Sequence, residues 1–341
     1  MERPVLIIQT AFAGDMILTL PLVQEARRLL GDGGVDVLCI PATEPLLRGH
    51  PAVRSVITYD KHGSGRMAGI IRRLRATRYG VVLCPHRSFR SAVLSVSSGA
   101  TVRVGFDRSA GAALFTERVP YREGVHEVER NLDLLARLTG GVDMATRPCL
   151  RISEADEREA RNVRASFGDE PYVCIAPGSV WPTKRWMPAG FATVARELAR
   201  EYAVVFVGGK EDTLLCREIA GLVDVGRCVD ASGALGFPAS AALIAGARLL
   251  IANDSAPVHL ASAMGTPVVA VFGATIPAFG FTPFGVPHEI IEVRGLACRP
   301  CGRHGGKTCP VGTFVCMREI TPDRVYAAAV RLLEAGRRRG I

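Results

Sequence analysis

NDSAPVHLASAMGTPVVAVFG, residues 253–273, follows the run ARLLIA (247–252) and ends in a second apolar run, Val268 to Phe272. The two apolar runs read as buried strands, and the Ala-rich segment between them reads as a helix, so the stretch is one βαβ unit. Asp254 or Ser255 is the expected N-cap, with Pro257 just inside the helix. Amide N–H groups and the positive end of the helix dipole point outward there, which favours an anion such as a phosphate. Asp254 adds a carboxylate able to accept hydrogen bonds from sugar hydroxyls. Many α/β proteins cap helices in this way without a ligand, so the unit alone leaves nucleotide binding open.

Strand and helix patterns alternate on both sides of this unit. VLIIQTA (5–11), VDVLCIPA (35–42), VRSVITY (53–59), YGVVLCPH (79–86) and TVRVGF (101–106) read as strands, with helices expected at 16–30, 66–78 and 126–140. PYVCIAPG (171–178), AVVFVGG (203–209) and GRCVDASG (226–233) continue the pattern in the second half. Most of these strands are continuously apolar, which implies parallel sheets covered on both faces. A chain of 341 residues suits two domains. The expected division is an N-terminal domain over 1–169, a second domain over 170–321 and a closing helix over 322–341. The second domain carries a Cys-rich loop at 298–316. The fold class is α/β, with two doubly wound, Rossmann-like parallel-sheet domains facing a cleft, the GT-B arrangement. Neither half carries a GxGxxG fingerprint, which counts against a nicotinamide enzyme.

Four ordered motifs carry a family resemblance. They are TAFAGDMILTLPLVQEAR (10–27), PGSVWPTKRW (177–186), the stretch 253–273 and GATIPAFGFTPFG (273–285). Together they resemble glycosyltransferase family 9, whose best-known members are ADP-heptose–lipopolysaccharide heptosyltransferases. The last motif looks more like that of the second heptosyltransferase than the first. The Cys-rich insert departs from the better-known enterobacterial pattern.

Asp15 falls in the turn after the first strand, where parallel sheets bind ligands. Its plain alternative is an N-cap for a helix starting at Met16. The resemblance implies that Asp15 is the base that deprotonates the acceptor hydroxyl during inverting transfer. It also implies that Lys184 stabilises the leaving diphosphate, with Ser179 and Thr183 as further phosphate contacts. Asp254 and Ser255 would hold the donor's sugar and phosphate, and His259, one turn into the helix, is either packing or ligand contact. Gly208 and Gly209 offer a tight turn beside the nucleotide base or ribose. Trp186 reads as packing. His86, Arg87 and Arg90 resemble an acceptor-side segment of the family, and Arg130, with His126, would support the same face. Arg87 and Arg90 could equally form internal salt bridges.

The net charge is +9, and between Arg66 and Arg130 stand twelve arginines and no lysine against five carboxylates. This is either the solvated face of an amphipathic helix or a surface for an anionic partner. Aromatics are only 6% of the chain and do not interleave with the basic residues, so anionic lipid is favoured over nucleic acid. No apolar run is long enough to cross a membrane, and Met1-Glu2-Arg3-Pro4 does not read as a signal peptide. The expected location is the cytoplasm, at the cytoplasmic face of the inner membrane, in peripheral contact with it.

Of ten cysteines, six (Cys39, Cys84, Cys149, Cys174, Cys216 and Cys228) read as reduced core residues. Cys298, Cys301, Cys309 and Cys316 form C-x2-C-x7-C-x6-C, a spacing that points to a structural zinc more than to a disulfide pair in a cytosolic chain. An iron–sulfur cluster is the weaker choice. No metal is expected in catalysis. The expected activity is transfer of heptose from ADP-heptose to the anionic lipopolysaccharide inner core. The alternatives are another nucleotide-sugar in the same family, or a non-enzymatic binding protein using the Cys cluster as a metal or redox sensor.

Overall fold

The computed structural model of the protein describes residues 3–60, 66–223 and 227–338. It divides into two compact units, Met1–Arg151 and Ile152–Ile341. The first contains β1 (Val5–Ile8), α1 (Ala13–Leu30), β2 (Val35–Cys39), β3 (Ser55–Thr58), α2 (Arg66–Thr77), β4 (Val81–Cys84), α3 (Phe89–Ser97), β5 (Val102–Phe106), β6 (Glu117–Val119) and α4 (Glu127–Thr139). The second contains α5 (Glu154–Arg164), β7 (Tyr172–Ala176), α6 (Pro188–Leu198), β8 (Ala203–Phe206), α7 (Thr213–Gly221), β9 (Cys228–Asp230), α8 (Phe237–Ala245), β10 (Leu250–Asn253), α9 (Ala256–Met264), β11 (Val268–Phe272), β12 (His288–Glu292), α10 (Val315–Arg318) and α11 (Pro322–Arg338). The last three residues of the expected closing helix, 339–341, lie outside the described residues.

Both sheets are six-stranded and parallel, in the orders β3-β2-β1-β4-β5-β6 and β12-β11-β10-β7-β8-β9. The central strands β1, β4, β7, β10 and β11 are buried along their whole length, as their unbroken apolar sequences require. In each sheet the chain reverses its winding at one place, between β1 and β4 and between β7 and β10. Ligands of doubly wound sheets bind beyond the carboxyl ends of the strands at such a place.

The domain boundary differs from expectation, falling after Arg151 rather than after residue 169. Two polar residues of α1 explain half of this. Gln24 bonds the carbonyl of Arg147 and the amide of Cys149, and Glu25 accepts from the Thr146 hydroxyl and the Asp143 amide. The irregular segment after α4 is thereby tied to the first unit. On the other side, α5 packs against α8, so the charged helix belongs to the second. The closing helix is not separate either: α11 packs on α6 and β12.

The Glu25 carboxyl is held below its ordinary value, chiefly by hydrogen bonds from Arg28, with Thr146 and the Asp143 amide adding to the effect against burial. A depressed carboxylate contributes stability above its unfolded pKa of about 4.3, and that contribution is lost as pH falls through the lower folded value. Glu25→Gln is therefore expected to cost about 1–3 kcal/mol at pH 7, by the usual worth of bonds to a charged group. In urea titrations the gap from wild type should close below about pH 4, and a gap that ignores pH would remove the carboxylate from this role.

Candidate functional site

The second unit builds its site beyond the carboxyl ends of the paired strands β7 and β10, where the sheet reverses its winding. The loop after β7 makes a single tight turn, Pro182–Lys184, before α6. Its Lys184 ammonium lies 2.6 Å from Asp254 Oδ2, and both side chains are largely buried. The hydroxyl of Thr275, just past β11, donates to the same oxygen at 2.5 Å. Asp254 stands immediately before α9, whose N-cap is Ser255, with an extended backbone and no side-chain cap. Pro257 has no N–H and the Val258 amide donates to Ser255 O at 3.1 Å, so the start of α9 offers the Ala256 amide and the positive end of the dipole, which beside a cation suit an anion. Of the two expected N-caps the structure selects Ser255, and Pro257 takes the second helical position.

Trp186 is buried as expected: its indole N–H donates to Ile320 O, and Phe191 meets its ring edge-on. Asn253 holds the loop in register. Its Oδ1 accepts from the Trp186 amide at 3.0 Å and its Nδ2 donates to Pro177 O at 2.7 Å. Ser179 is buried, and its oxygens are engaged by Arg185 and the Trp181 amide. His259 is buried in α9.

Two expected donor contacts find other tasks. Thr183 is buried, and its hydroxyl donates to Gly306 O and accepts from Gly306 N. Its one proton is thus committed to the Cys-rich loop and is not offered to a phosphate. Gly208 makes room for Asp212, and Gly209 for Glu211. A Cβ at Gly208 would come 2.8 Å from the Asp212 side chain, and the Gly209 amide donates to the Asp212 carboxylate. Burial holds the Asp212 carboxyl above its ordinary value.

The first unit gathers its residues around β1 and β4. Asp15 lies in the first turn of α1, and Phe12 occupies the N-cap. The helix thus starts three residues before Met16, and Asp15 is not a cap. Its carboxylate stands where the helix dipole stabilises negative charge. His86 follows β4, and its Nδ1 lies 2.8 Å from Thr10 Oγ1 and 2.9 Å from Ser91 Oγ. The turns after β1 and β4 are joined by this contact. Arg87 lies over the Tyr121 ring at 4.1 Å, and Arg90 is exposed at the start of α3.

Arg130 does not belong with the acceptor-side residues. It is 1% exposed, ion-pairs with Glu127, donates to the carbonyls of Arg122 and Val125, and packs on the same Tyr121 ring. It forms an internal salt bridge instead. His126 caps α4 through its Nδ1.

All ten cysteines are free. Cys39, Cys84, Cys174 and Cys216 are core residues, with the Cys39 thiol pushed up to about 11 by burial, whereas Cys149 is exposed and Cys228 half-buried. Cys298, Cys301 and Cys309 lie in the loop after β12, and Cys316 lies in α10, which follows that loop. Burial raises the Cys301 and Cys316 thiols, and the neighbouring cysteines of the loop add to it. Among the described residues no group of three or more His, Cys, Asp or Glu side chains is set to hold a metal ion.

Two doubly wound parallel sheets in this strand order define the GT-B fold of glycosyltransferases. The chain matches the family profile of glycosyltransferase family 9 (heptosyltransferase) over residues 67–310. It is 31% identical to an Escherichia coli lipopolysaccharide heptosyltransferase 3 over 280 residues, covering 77% of this chain and 82% of that one. It superposes on the family 9 glycosyltransferase of Veillonella parvula with a TM-score of 0.84 at 22% identity, over 98% of this chain and 99% of that one. For the E. coli ADP-heptose lipopolysaccharide heptosyltransferase II the TM-score is 0.80 at 24% identity, with 98% and 99% covered. The chain belongs to glycosyltransferase family 9.

Removing the cation from the pair leaves a buried carboxylate beside the helix start, which repels an anion there. Lys184→Ala is expected to weaken binding of inorganic pyrophosphate by about tenfold or more, from the usual worth of a charge-assisted contact. Isothermal titration calorimetry reads this directly, and an unchanged affinity would remove Lys184 from anion binding.

Proposed function

We propose that the protein is an inverting heptosyltransferase that moves heptose from ADP-heptose to the anionic inner core of lipopolysaccharide. The family supports transfer of a glycosyl group, and the names of the similar proteins support the sugar and acceptor. The observation that carries the reading is the Lys184–Asp254 pair beside the uncapped start of α9. When the bond from the anomeric carbon to the diphosphate breaks, negative charge grows on the departing oxygen. A cation and oriented amides stabilise that charge more in the transition state than in the ground state. Lys184 and α9 fill this place in the proposal, which needs no metal for catalysis. Asp254 orients the ammonium.

In this scheme Asp15 accepts the proton of the acceptor hydroxyl as that oxygen attacks the anomeric carbon on the face opposite the diphosphate. One C–O bond forms, one breaks, and the proton ends on the carboxylate. His86, Arg87 and Arg90 lie at the carboxyl end of β4 and are the proposed contacts to acidic groups of the acceptor. Peripheral contact with the cytoplasmic face of the inner membrane is part of the same proposal. What supports it is the row of exposed arginines on α2, including Arg72, Arg73 and Arg75. Among the described residues no helix is long and apolar enough to cross a membrane.

Asp15→Asn is expected to lower kcat by about 10²- to 10⁴-fold, the usual worth of a general base, while ADP affinity stays unchanged. Transfer is measured from ADP-heptose to heptose-deficient and mono-heptosylated lipid acceptors, and the acceptor used assigns the first or the second addition. Folded protein that gives no product with either acceptor and does not bind ADP would reject the heptosyl reading.

A structural zinc held by Cys298, Cys301, Cys309 and Cys316 also belongs to the proposal. It is supported by three cysteines in one loop of little regular structure and a fourth, Cys316, in the short helix that follows it. Elemental analysis of purified protein should give about one zinc per chain, and a content near zero in fully active enzyme would dismiss it.

A further inference from the structure

The turn after β11 and the loop before α6 supply the two halves of the Lys184–Asp254 pair with their neighbours, and one short segment of the Cys-rich loop grips both. Arg299 begins it. Its guanidinium is 4% exposed and ion-pairs with Glu292 at the end of β12, at 2.8 Å. From there the planar fork donates to the carbonyls of Gly273 (2.5 Å), Thr275 (2.6 Å) and Val293 (2.8 Å). The Cys301 amide adds a bond to Ala274 O at 2.9 Å. Residues 273–275 are thus fastened carbonyl by carbonyl, and Thr275 is the residue whose hydroxyl holds Asp254 Oδ2.

The far end of the same segment reaches Lys184. Thr183 and Gly306 exchange three hydrogen bonds: Thr183 N and Oγ1 donate to Gly306 O, and Gly306 N donates back to Thr183 Oγ1. Gly305 has φ +83°, and a Cβ there would stand 3.0 Å from Lys184 Cγ and from Thr183 Oγ1. Only a residue without a side chain lets the loop lie this close. The stem of Lys184 is therefore walled on one side by the backbone of residues 305–306.

We propose that segment 299–306 is the positioning element of the donor site, with Arg299 and Thr183 as positioning residues that set the Lys184–Asp254 geometry. The proposal rests on the reading of that pair as the donor's anion anchor. An arginine suits this place because its fork serves several carbonyls at fixed angles while Glu292 neutralises its charge. A lysine would keep the charge but offer a single point of contact. The Cys-rich loop thereby gains a task in the reaction that does not depend on whether its thiols bind metal.

The chain has four lysines, at positions 61, 184, 210 and 307, so acylation of Lys184 can be followed by mass spectrometry against exposed Lys210. In the full-length protein, Arg299→Gln and Thr183→Val are expected to raise the Lys184 acylation rate about fivefold or more relative to Lys210, because a loosened pair exposes the amine. Arg299→Lys should fall between wild type and Arg299→Gln. In the same variants the ADP dissociation constant should rise about tenfold, matching a lost charge-assisted contact. Circular dichroism checks that each variant is folded. Should Arg299→Gln not fold, Thr183→Val and Gly305→Ala carry the test. Wild-type Lys184 reactivity in folded variants overturns the proposal. A raised reactivity in protein whose wild type does not bind ADP confirms the positioning and overturns the donor-site reading alone.

Discussion

The side-chain amide of Asn253 is fully buried, and its two ends bond different parts of the chain. By accepting from the Trp186 amide and donating to Pro177 O, it ties both ends of the loop after β7 to the tip of β10. Neither backbone group has a strand partner at that point, so the amide does what a β-ladder would have done one residue earlier. The consequence is chemical as well as structural. Lys184 lies inside the span that Asn253 clamps, and Asp254 is its next neighbour in sequence. The ion pair at 2.6 Å follows from that clamp.

A buried pair of this kind is costly unless the rest of its hydrogen-bonding capacity is met. Here Thr275 bonds the carboxylate oxygen that the ammonium also approaches, and the residues around Thr275 are held by Arg299. The pair is thus supported from three strands: β7 through Lys184, β10 through Asp254 and β11 through Thr275. Such support keeps charged groups oriented in advance, which is how a site stabilises developing charge without reorganising at the moment of reaction. Glycosyl transfer makes that demand where the diphosphate leaves.

What the sequence disclosed about this site follows a physical line. β10, α9 and β11 were legible because their signals are local: apolar runs, a turn rich in capping residues and a proline at the helix start. Lys184 and Asp254 were found as motif residues, but their pairing was not, since nothing local says that positions seventy apart will meet. Thr275, Arg299 and Gly306 escaped for the same reason, because Thr183 and Gly306 are 123 positions apart. The boundary after Arg151 was missed because it depends on Gln24 and Glu25 reaching across more than a hundred residues to an irregular segment. Asp15 was placed correctly after the first strand, yet α1 begins earlier because Phe12, a residue type rarely used there, occupies the N-cap. Arg130 was misplaced by its company. In a stretch dense with arginine it read as surface, whereas Glu127 one turn away and two carbonyls make it a core residue.

That correction changes how the basic charge of the first unit should be weighed. Arg54 is spent on Asp36, Arg108 on Glu123, Arg122 on Asp133 and Arg137 on Glu117, while Arg103 binds the carbonyls of Ala100 and Leu114. Arginines with internal partners fix loops and strand ends, and where the partner is a carboxylate their charge is largely offset where it stands. The field offered to an anionic acceptor must come from those that remain on the surface, such as Arg72 on α2 and Arg90 at the start of α3. Net charge alone overstates that field. Position decides it, and Arg90 stands in the first turn of α3, the helix that follows β4, four residues from the His86 that ties the turn after β4 to the turn after β1.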